Sequence, residues 1–328
     1  MAAAATGEFA LIDRYFRRAS AEPGVVLGVG DDAALLAPTP GHELALAVDM
    51  MVEGRHFLPG ADPAGLGHKI LAVNLSDMAA MGARPRWALL AGALPDDDPA
   101  WLDAFSRGLF ALAEAHGVAL VGGDTTRGPR TLCLTIAGEA PAGTAIRRSG
   151  ARPGDDVWVS GSLGDAMLAL AALRGRTALD DATLNVLRAR LDRPQPRVAL
   201  GMALRGLASA MLDVSDGLTG DLGHILDASG VGATVDLAAL PCAPSLRARL
   251  AGAERPLALA CLLAGGDDYE LCFTAPPALR ERVSRAGHEA GVPVARVGAV
   301  DARAGVLVVR DEQGAALPAL PRAFDHFA

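Results

Sequence analysis

Apolar periodicity in this chain switches repeatedly between helix-like and strand-like spacing, which confines it to an α/β architecture rather than to separate all-α and all-β domains. Phe9, Ile12, Tyr15 and Phe16 recur at helical spacing over Glu8 to Ser20. Strands are predicted at Leu44 to Asp49, Trp87 to Leu94, Val118 to Val121 and Thr131 to Gly138. Helices are predicted between them at Pro63 to Met81 and at Pro99 to His116, the latter with proline in its first turn. The run Glu139 to Pro153, rich in Gly, Pro, Ala and Arg, is the expected domain boundary. Beyond it the pattern predicts a strand at Asp156 to Ser160, helices at Leu163 to Arg174 and Gly217 to Ser229, and strands at Tyr269 to Thr274 and Val306 to Arg310. A length of 328 residues suits a two-domain α/β protein.

Composition narrows the function. Hydrophobic residues at 51% and charged residues at 21% are those of a globular protein. With 38 acidic and 30 basic side chains the net charge is -8, which argues against a broad nucleic-acid surface. The single lysine, Lys69, follows no glycine-rich run, so no P-loop is present, and the protein-kinase motif set is missing too. Cys133, Cys242, Cys261 and Cys272 form no C-x-x-C pair and no zinc-like spacing, as expected of free thiols in a reducing cytoplasm. The start lacks a signal-peptide pattern and no apolar run is long enough for a membrane span, so a soluble cytoplasmic protein is expected.

The informative feature is where aspartate falls. Six short junctions carry it: Gly30-Asp31-Asp32, Val48-Asp49, Asn74-Leu75-Ser76-Asp77, Gly122-Gly123-Asp124, Asp213-Val214-Ser215-Asp216-Gly217 and Gly265-Gly266-Asp267-Asp268. In most of them an apolar stretch runs straight into Gly and Asp, which would stand the carboxylate at a strand end, where open α/β folds collect ligands. One such junction is explained by turns and caps; six together point to a site. Short, oxygen-only side chains suit a hard cation such as magnesium, and the lack of nearby Cys or paired His disfavours zinc. Asn74 and Asp77 would share one helical face.

Val25 to Ala33 also matches strand plus G-x-G-x-x-A, with Asp49 at the spacing of a dinucleotide fold. Pro38, Pro40 and Gly41 leave no room for the crossover helix, and two aspartates in the loop would repel a pyrophosphate unless metal intervened. Metal-bridged phosphate fits the same residues: divalent ions stand between carboxylate and phosphate, glycine lets the backbone approach, and Arg147, Arg148 and Arg152 supply further positive charge.

Assembled in order, these motifs resemble the thiamine-monophosphate kinases, within the superfamily of aminoimidazole ribonucleotide synthetase and selenophosphate synthetase. The resemblance runs nearly end to end, from Gly7-Glu8-Phe9 through Gly54-Arg55-His56-Phe57, Val73 to Asp77, Gly122 to Gly128, Arg148-Ser149-Gly150-Ala151, Ser160 to Asp165, Asp213 to Leu218 and Gly266 to Leu271, to Asp325-His326-Phe327. The Gly-Asp-Asp and Asp-x-x-Asp-Gly pieces are shared across the superfamily; Gly-Arg-His-Phe and Asp-His-Phe point to the thiamine branch.

The resemblance implies ATP-dependent phosphorylation of thiamine monophosphate to the diphosphate by direct in-line transfer, with several Mg²⁺ ions and no phosphoenzyme. It implies an N-terminal mixed-sheet α/β domain (1–148) that binds ATP and Mg²⁺ and pairs in a homodimer, then a C-terminal α+β domain (149–328) that completes the nucleotide and substrate site. By motif, Asp32, Asp49, Asp77, Asp124, Asp213 and Asp216 would be metal ligands, with Val48 contributing at most a backbone oxygen. Gly123, Asp124, Arg148 and Ser215 would contact ATP, and His56, Asp267 and Phe324 the thiamine phosphate. No general base is expected, because the acceptor phosphate is already largely ionised near neutrality.

The chain departs from the family pattern at three places. Ala47 and Val48 replace a Thr or Ser pair, Asp267 replaces a glutamate and is one methylene shorter, and Phe324 replaces a terminal Tyr or Trp and keeps only a stacking face. Two alternatives remain at this point: another ATP-using enzyme of the superfamily, similar to aminoimidazole ribonucleotide synthetase, or a Mg-nucleotide-binding protein without turnover. Selenophosphate synthesis resembles a chemistry with an early Cys or selenocysteine, and the first cysteine here is Cys133.

Overall fold

The computed structural model describes residues 7–18 and 22–323. The chain divides into two compact units. One runs to Met78 and resumes over Ala83–Gly143; the other holds Ala79–Gly82 and the chain from Thr144 onward.

The N-terminal unit contains α1 (Glu8–Tyr15), β1 (Val25–Leu27), β2 (Leu35–Leu36), β3 (His42–Val52), α2 (Pro63–Ala80), β4 (Arg84–Leu94), α3 (Pro99–His116), β5 (Ala119–Arg127) and β6 (Thr131–Pro141). Its main sheet has the order β3-β6-β4-β5 and is mixed, with β4 and β5 parallel and the other pairs antiparallel. Helix α3 starts where the sequence says it should: Pro99 fills the first turn and the Asp98 side chain accepts the Ala100 N–H at 2.9 Å. Alternation along β6 sorts the sheet faces. Leu132, Leu134 and Ile136 are buried, on the side where Met78 of α2 packs against Gly138. The opposite face carries exposed Leu44, Leu46, Val48 and Met50 of β3 and Leu89 of β4.

The C-terminal unit contains β7 (Asp156–Ser160), α4 (Asp165–Leu173), α5 (Asp181–Asp192), α6 (Val198–Ala203), β8 (Ala210–Val214), α7 (Leu218–Ser229), β9 (Gly232–Asp236), α8 (Pro244–Leu250), α9 (Arg255–Ala264), β10 (Glu270–Ala275), α10 (Arg280–Glu289), β11 (Val294–Asp301) and β12 (Leu307–Arg310). They build a sheet of order β12-β9-β11-β7-β10-β8, antiparallel except for β12 and β9. Every residue of β7, β8 and β10 is buried, which is why these strands read as short apolar runs bounded by turns. Val157, Val159, Leu212, Val214 and Cys272 join helix residues such as Leu222, Ile225 and Leu262 in one core. Each fully buried aliphatic side chain there contributes roughly 1.5–3 kcal/mol.

The two-domain mixed α/β expectation holds, and no helix lies between β1 and β3, so the dinucleotide reading fails as expected. Two strand ends are corrected. β3 continues past Asp49 to Val52, and β5 continues past Val121 to Arg127, because pairing with β4 runs on to Leu94 opposite Arg127. Asp49 and Asp124 therefore stand inside strands, not at their ends.

Candidate active site

In the N-terminal unit the turn between β1 and β2 bends over the sheet and, with α1, β4 and β5, encloses a cavity of about 1100 Å³. Gly30, Asp31, Asp32, Gly123 and Asp124 line it, opposite an apolar wall that includes Trp87 and Phe105. The turn is held locally: Asp31 Oδ1 accepts the Asp32 N–H at 2.8 Å, and Arg17 Nε donates to the Val29 carbonyl at 3.2 Å. Gly123 has φ 150°, and a Cβ there would collide with the Leu90 carbonyl, so any side chain would push β5 off β4. The sequence thus brings Asp32, Gly123 and Asp124 to one cavity, all with exposed carboxylates or backbone.

Asp49 is placed elsewhere. Register aligns Asp49 with Leu134, Leu134 with Leu90, and Leu90 with Gly123, so one row crosses the whole sheet from edge to edge. Three inter-strand spacings separate its ends, about 14 Å. Within one chain Asp49 and Asp124 cannot share a single cation, whose ligand oxygens must lie about 2 Å from it. Val48 points its side chain to the exposed face, leaving only backbone to offer a metal. Asp77 is half-buried on α2, while Asn74 is fully buried with Nδ2 donating to the Ile70 carbonyl at 2.9 Å and Oδ1 unpartnered. His56 lies in the turn after β3, where its Nδ1 accepts the Val52 N–H at 3.0 Å, so in the neutral ring the proton sits on Nε2.

The C-terminal unit holds its acidic groups differently. Asp213 is buried on β8, and the turn Ser215-Asp216-Gly217 leads into α7. One carboxylate oxygen of Asp221, in the first turn of α7, accepts the N–H groups of Ser215, Asp216 and Gly217 at 3.1, 3.1 and 3.0 Å. Gly217 has φ 114°, and a Cβ there would press on Ala264, so this turn also requires glycine. Burial pushes the Asp221 carboxyl up to about 7 against its Asp216 hydrogen bond, and the charges of Asp213 and Asp216 add to the rise.

The loop carrying Asp267 is tied to the same turn, with the Asp267 N–H donating to the Ser215 carbonyl at 2.9 Å and the Tyr269 N–H to the Val214 carbonyl at 2.8 Å. Asp268 accepts the Gly164 N–H through both oxygens at 2.9 and 3.0 Å. Glu270 receives a bidentate pair from Arg197 at 2.7 and 2.5 Å and the Ser160 hydroxyl at 2.6 Å. Arg148 lies exposed on the segment before β7, its carbonyl accepting the Ser229 hydroxyl at 3.4 Å. Phe324 lies outside the described residues.

Among the described residues no three His, Cys, Asp or Glu side chains gather into a preformed metal cage. The donors are instead carboxylates held apart from one another, all oxygen. Magnesium accepts that arrangement when phosphate oxygens and water complete its shell, so the residues fit a metal that arrives with a polyphosphate.

The relatives of the chain share this framework. Residues 30–140 match the family model of the AIR synthase related protein N-terminal domain, and residues 152–310 that of its C-terminal domain. The thiamine-monophosphate kinase of Escherichia coli (strain K12) is 47% identical over 327 residues, covering 99% of each chain. The chain belongs to the thiamine-monophosphate kinase family. The crystal structure of a family member from Stenotrophomonas maltophilia K279a matches with TM-score 0.84 at 46% identity, covering 95% of this chain and 98% of that one. AaThiL complexed with AMPPCP and TMP matches with TM-score 0.76 at 30% identity, covering 89% of each. The enzyme is thus a kinase, and the non-catalytic alternative falls away.

Motif reasoning missed Asp221 and Arg197, and gave no role to Asp268, Ser160 or Glu270 although they stand within the motifs quoted above. For Asp221 a signal existed, an acidic residue in the first turn of a helix that follows a Gly-bounded turn. For the meeting of Arg197 and Ser160 at Glu270 there was none, because they reach it from 73 and 110 residues away.

Proposed function

We infer that the enzyme transfers the γ-phosphoryl group of ATP to the phosphate of thiamine monophosphate, giving thiamine diphosphate and ADP in one in-line step. The observation that carries this reading is the tying of the Asp267 loop to the Ser215 peptide, within a family whose members bear that activity in their name. AaThiL complexed with AMPPCP and TMP supports the same pair of substrates.

In this reading the N-terminal domain over 1–148 binds ATP through Gly123, Asp124 and Arg148, and the domain over 149–328 adds Ser215. His56, Asp267 and Phe324 face the thiamine phosphate. Asp32, Asp49, Asp77, Asp124, Asp213 and Asp216, with the Val48 carbonyl, would hold magnesium, which would supply charge neutralisation between the two polyanions. The chain's own work is placement. Asp221 orients three successive amides of the Ser215 turn, which holds the backbone that carries Asp216 before any ligand arrives. No side chain is needed as a base, since the acceptor oxygen is already anionic.

Two chains pairing through β3 and its sheet face would cover Leu44, Leu46, Val48, Met50 and Leu89, and this exposed apolar stripe supports a homodimer. Four free cysteines support a reducing, cytoplasmic location, and among the described residues no helix is long and apolar enough to cross a membrane. The test is ADP release coupled to an indicator, with ATP and magnesium present. Release that depends on thiamine monophosphate and stops with EDTA is expected; no release at saturating substrates contradicts the assignment.

A further inference from the structure

Among the described residues only two non-glycine positions have left-handed backbone, Asp267 with φ 67° and Tyr269 with φ 50°. They flank Asp268 in the connection from α9 to β10. Side chains bearing a Cβ seldom adopt that region, and an aromatic residue less readily than aspartate, so the surroundings must impose it. The backbone bonds to Ser215 and Val214 and the Asp268 contact with the Gly164 amide do so. This backbone course brings the Tyr269 ring back toward the start of the loop. Its hydroxyl donates to Asp267 Oδ1 at 3.1 Å. That bond is separate from those shaping the backbone; it fixes a side chain.

We propose that Tyr269 is a positioning residue of the acceptor site, whose hydroxyl holds the Asp267 carboxylate in one orientation toward the cationic, amino-bearing part of the acceptor. The proposal rests on the reading of Asp267 as an acceptor contact. A carboxylate suits a thiazolium charge and an aminopyrimidine rather than a phosphate, so its orientation governs recognition of the organic part of the substrate. Asp267 has one fewer torsion than the glutamate common in the family. With one oxygen engaged by Tyr269 its plane is set, and a short carboxylate becomes a fixed acceptor rather than a mobile one.

The experiment compares Tyr269→Phe, Asp267→Ala and the double variant, reading KM for thiamine monophosphate, KM for Mg-ATP, kcat and thermal midpoint. Tyr269→Phe keeps the ring and is expected to raise KM for thiamine monophosphate about three- to tenfold, the worth of one such hydrogen bond. KM for Mg-ATP, kcat and the midpoint should stay unchanged, the signature of lost uniform binding at one subsite. In the Asp267→Ala background the same change should add nothing, because Tyr269 acts through Asp267. An unchanged KM in Tyr269→Phe, an equal rise in the Asp267→Ala background, or a rise in both KM values with a lower midpoint overturns the proposal. If Asp267→Ala itself keeps the normal KM, the acceptor reading of Asp267 fails and the proposal with it. Failure of Tyr269→Phe alone leaves that reading standing.

Discussion

In the C-terminal unit Asp213, Asp221 and Glu270 are buried and the last two already engaged by several donors, whereas in the N-terminal unit Asp31, Asp32 and Asp124 stand exposed around an open cavity. The difference separates two ways of presenting carboxylates. Burying carboxylates next to one another costs folding free energy but fixes their geometry, and the raised Asp221 records that cost. Leaving them exposed costs little and defers the ordering to the moment of binding. The C-terminal unit also carries the Asp267 loop, tied by its backbone to the Ser215 turn, while the N-terminal unit presents its exposed aspartates and an exposed apolar stripe on β3.

The comparison breaks most visibly at its buried ion pairs. Two such pairs stand in different units: Arg197 with Glu270, and Arg86 with Glu139 at 3.2 Å. Glu270→Gln and Glu139→Gln each leave a guanidinium without its carboxylate and should cost about 3–5 kcal/mol in urea unfolding at neutral pH. For Glu139 burial acts to raise the carboxyl, but the Thr39 hydrogen bonds and Arg86 bring it below the ordinary value. Its contribution is therefore present above the ordinary carboxylate range and is lost as pH falls through the lowered value, so the deficit of Glu139→Gln should shrink in acid. A deficit that is constant with pH would mean the charge is not what Arg86 requires.

Next in size are the aspartates themselves. Asp32→Asn, Asp49→Asn and Asp213→Asn should each lower kcat by about a hundredfold or more, the usual worth of an electrostatic contact in the transition state. Asp32→Asn should do so with an unchanged thermal midpoint, since its carboxylate is exposed. Near-native turnover of Asp49→Asn would remove Asp49 from the metal set, as its place on the far sheet edge from Asp124 makes this the sharpest of the three tests.

Leu46→Glu puts a charge in the middle of the exposed β3 stripe and should convert a dimer to monomer in sedimentation velocity, with the fold intact by circular dichroism. A dimer unaffected by it would move the interface elsewhere. The smallest effect is at Asp268. Burial pushes this carboxyl well above its ordinary value against the Gly164 hydrogen bond, with Asp165, Glu270 and Asp267 adding to the rise. Its stabilising contribution is complete below the ordinary carboxylate value and is lost as pH rises through the raised one. Asp268→Asn keeps an oxygen for Gly164 and should raise the melting midpoint at about pH 8 but not at about pH 4. Equal midpoints at both would show that the buried charge costs nothing.

Much of this was legible in the sequence, and the failures have a common cause. Helix α3 and strand β7 match their predicted ends because Pro99, Asp98 and a run of apolar residues are local signals. The sequence pattern ends β5 at Val121 because two glycines usually mean a turn; here they mark close approach to β4, which only the pairing partner reveals. The aspartate junctions bring Asp32 and Asp124 to one cavity, yet the separation of Asp49 from Asp124 follows from strand order, β3-β6-β4-β5, which no local pattern encodes. The bonds that hold the Asp267 loop reach Ser215, Val214 and Gly164, all far from it in the chain, and side chains such as Ser160 and Arg197 carry no periodic mark.

The central claim is direct transfer between two bound polyanions at metal-bridged aspartates, with no covalent stop on the protein. Mixing the enzyme with magnesium, thiamine monophosphate and ATP radiolabelled at the γ-phosphate, then quenching within one turnover, tests it directly. The account predicts label in thiamine diphosphate, none attached to protein, and no transfer once magnesium is chelated. Label retained on the protein before product forms, or transfer that persists without a divalent cation, would contradict it.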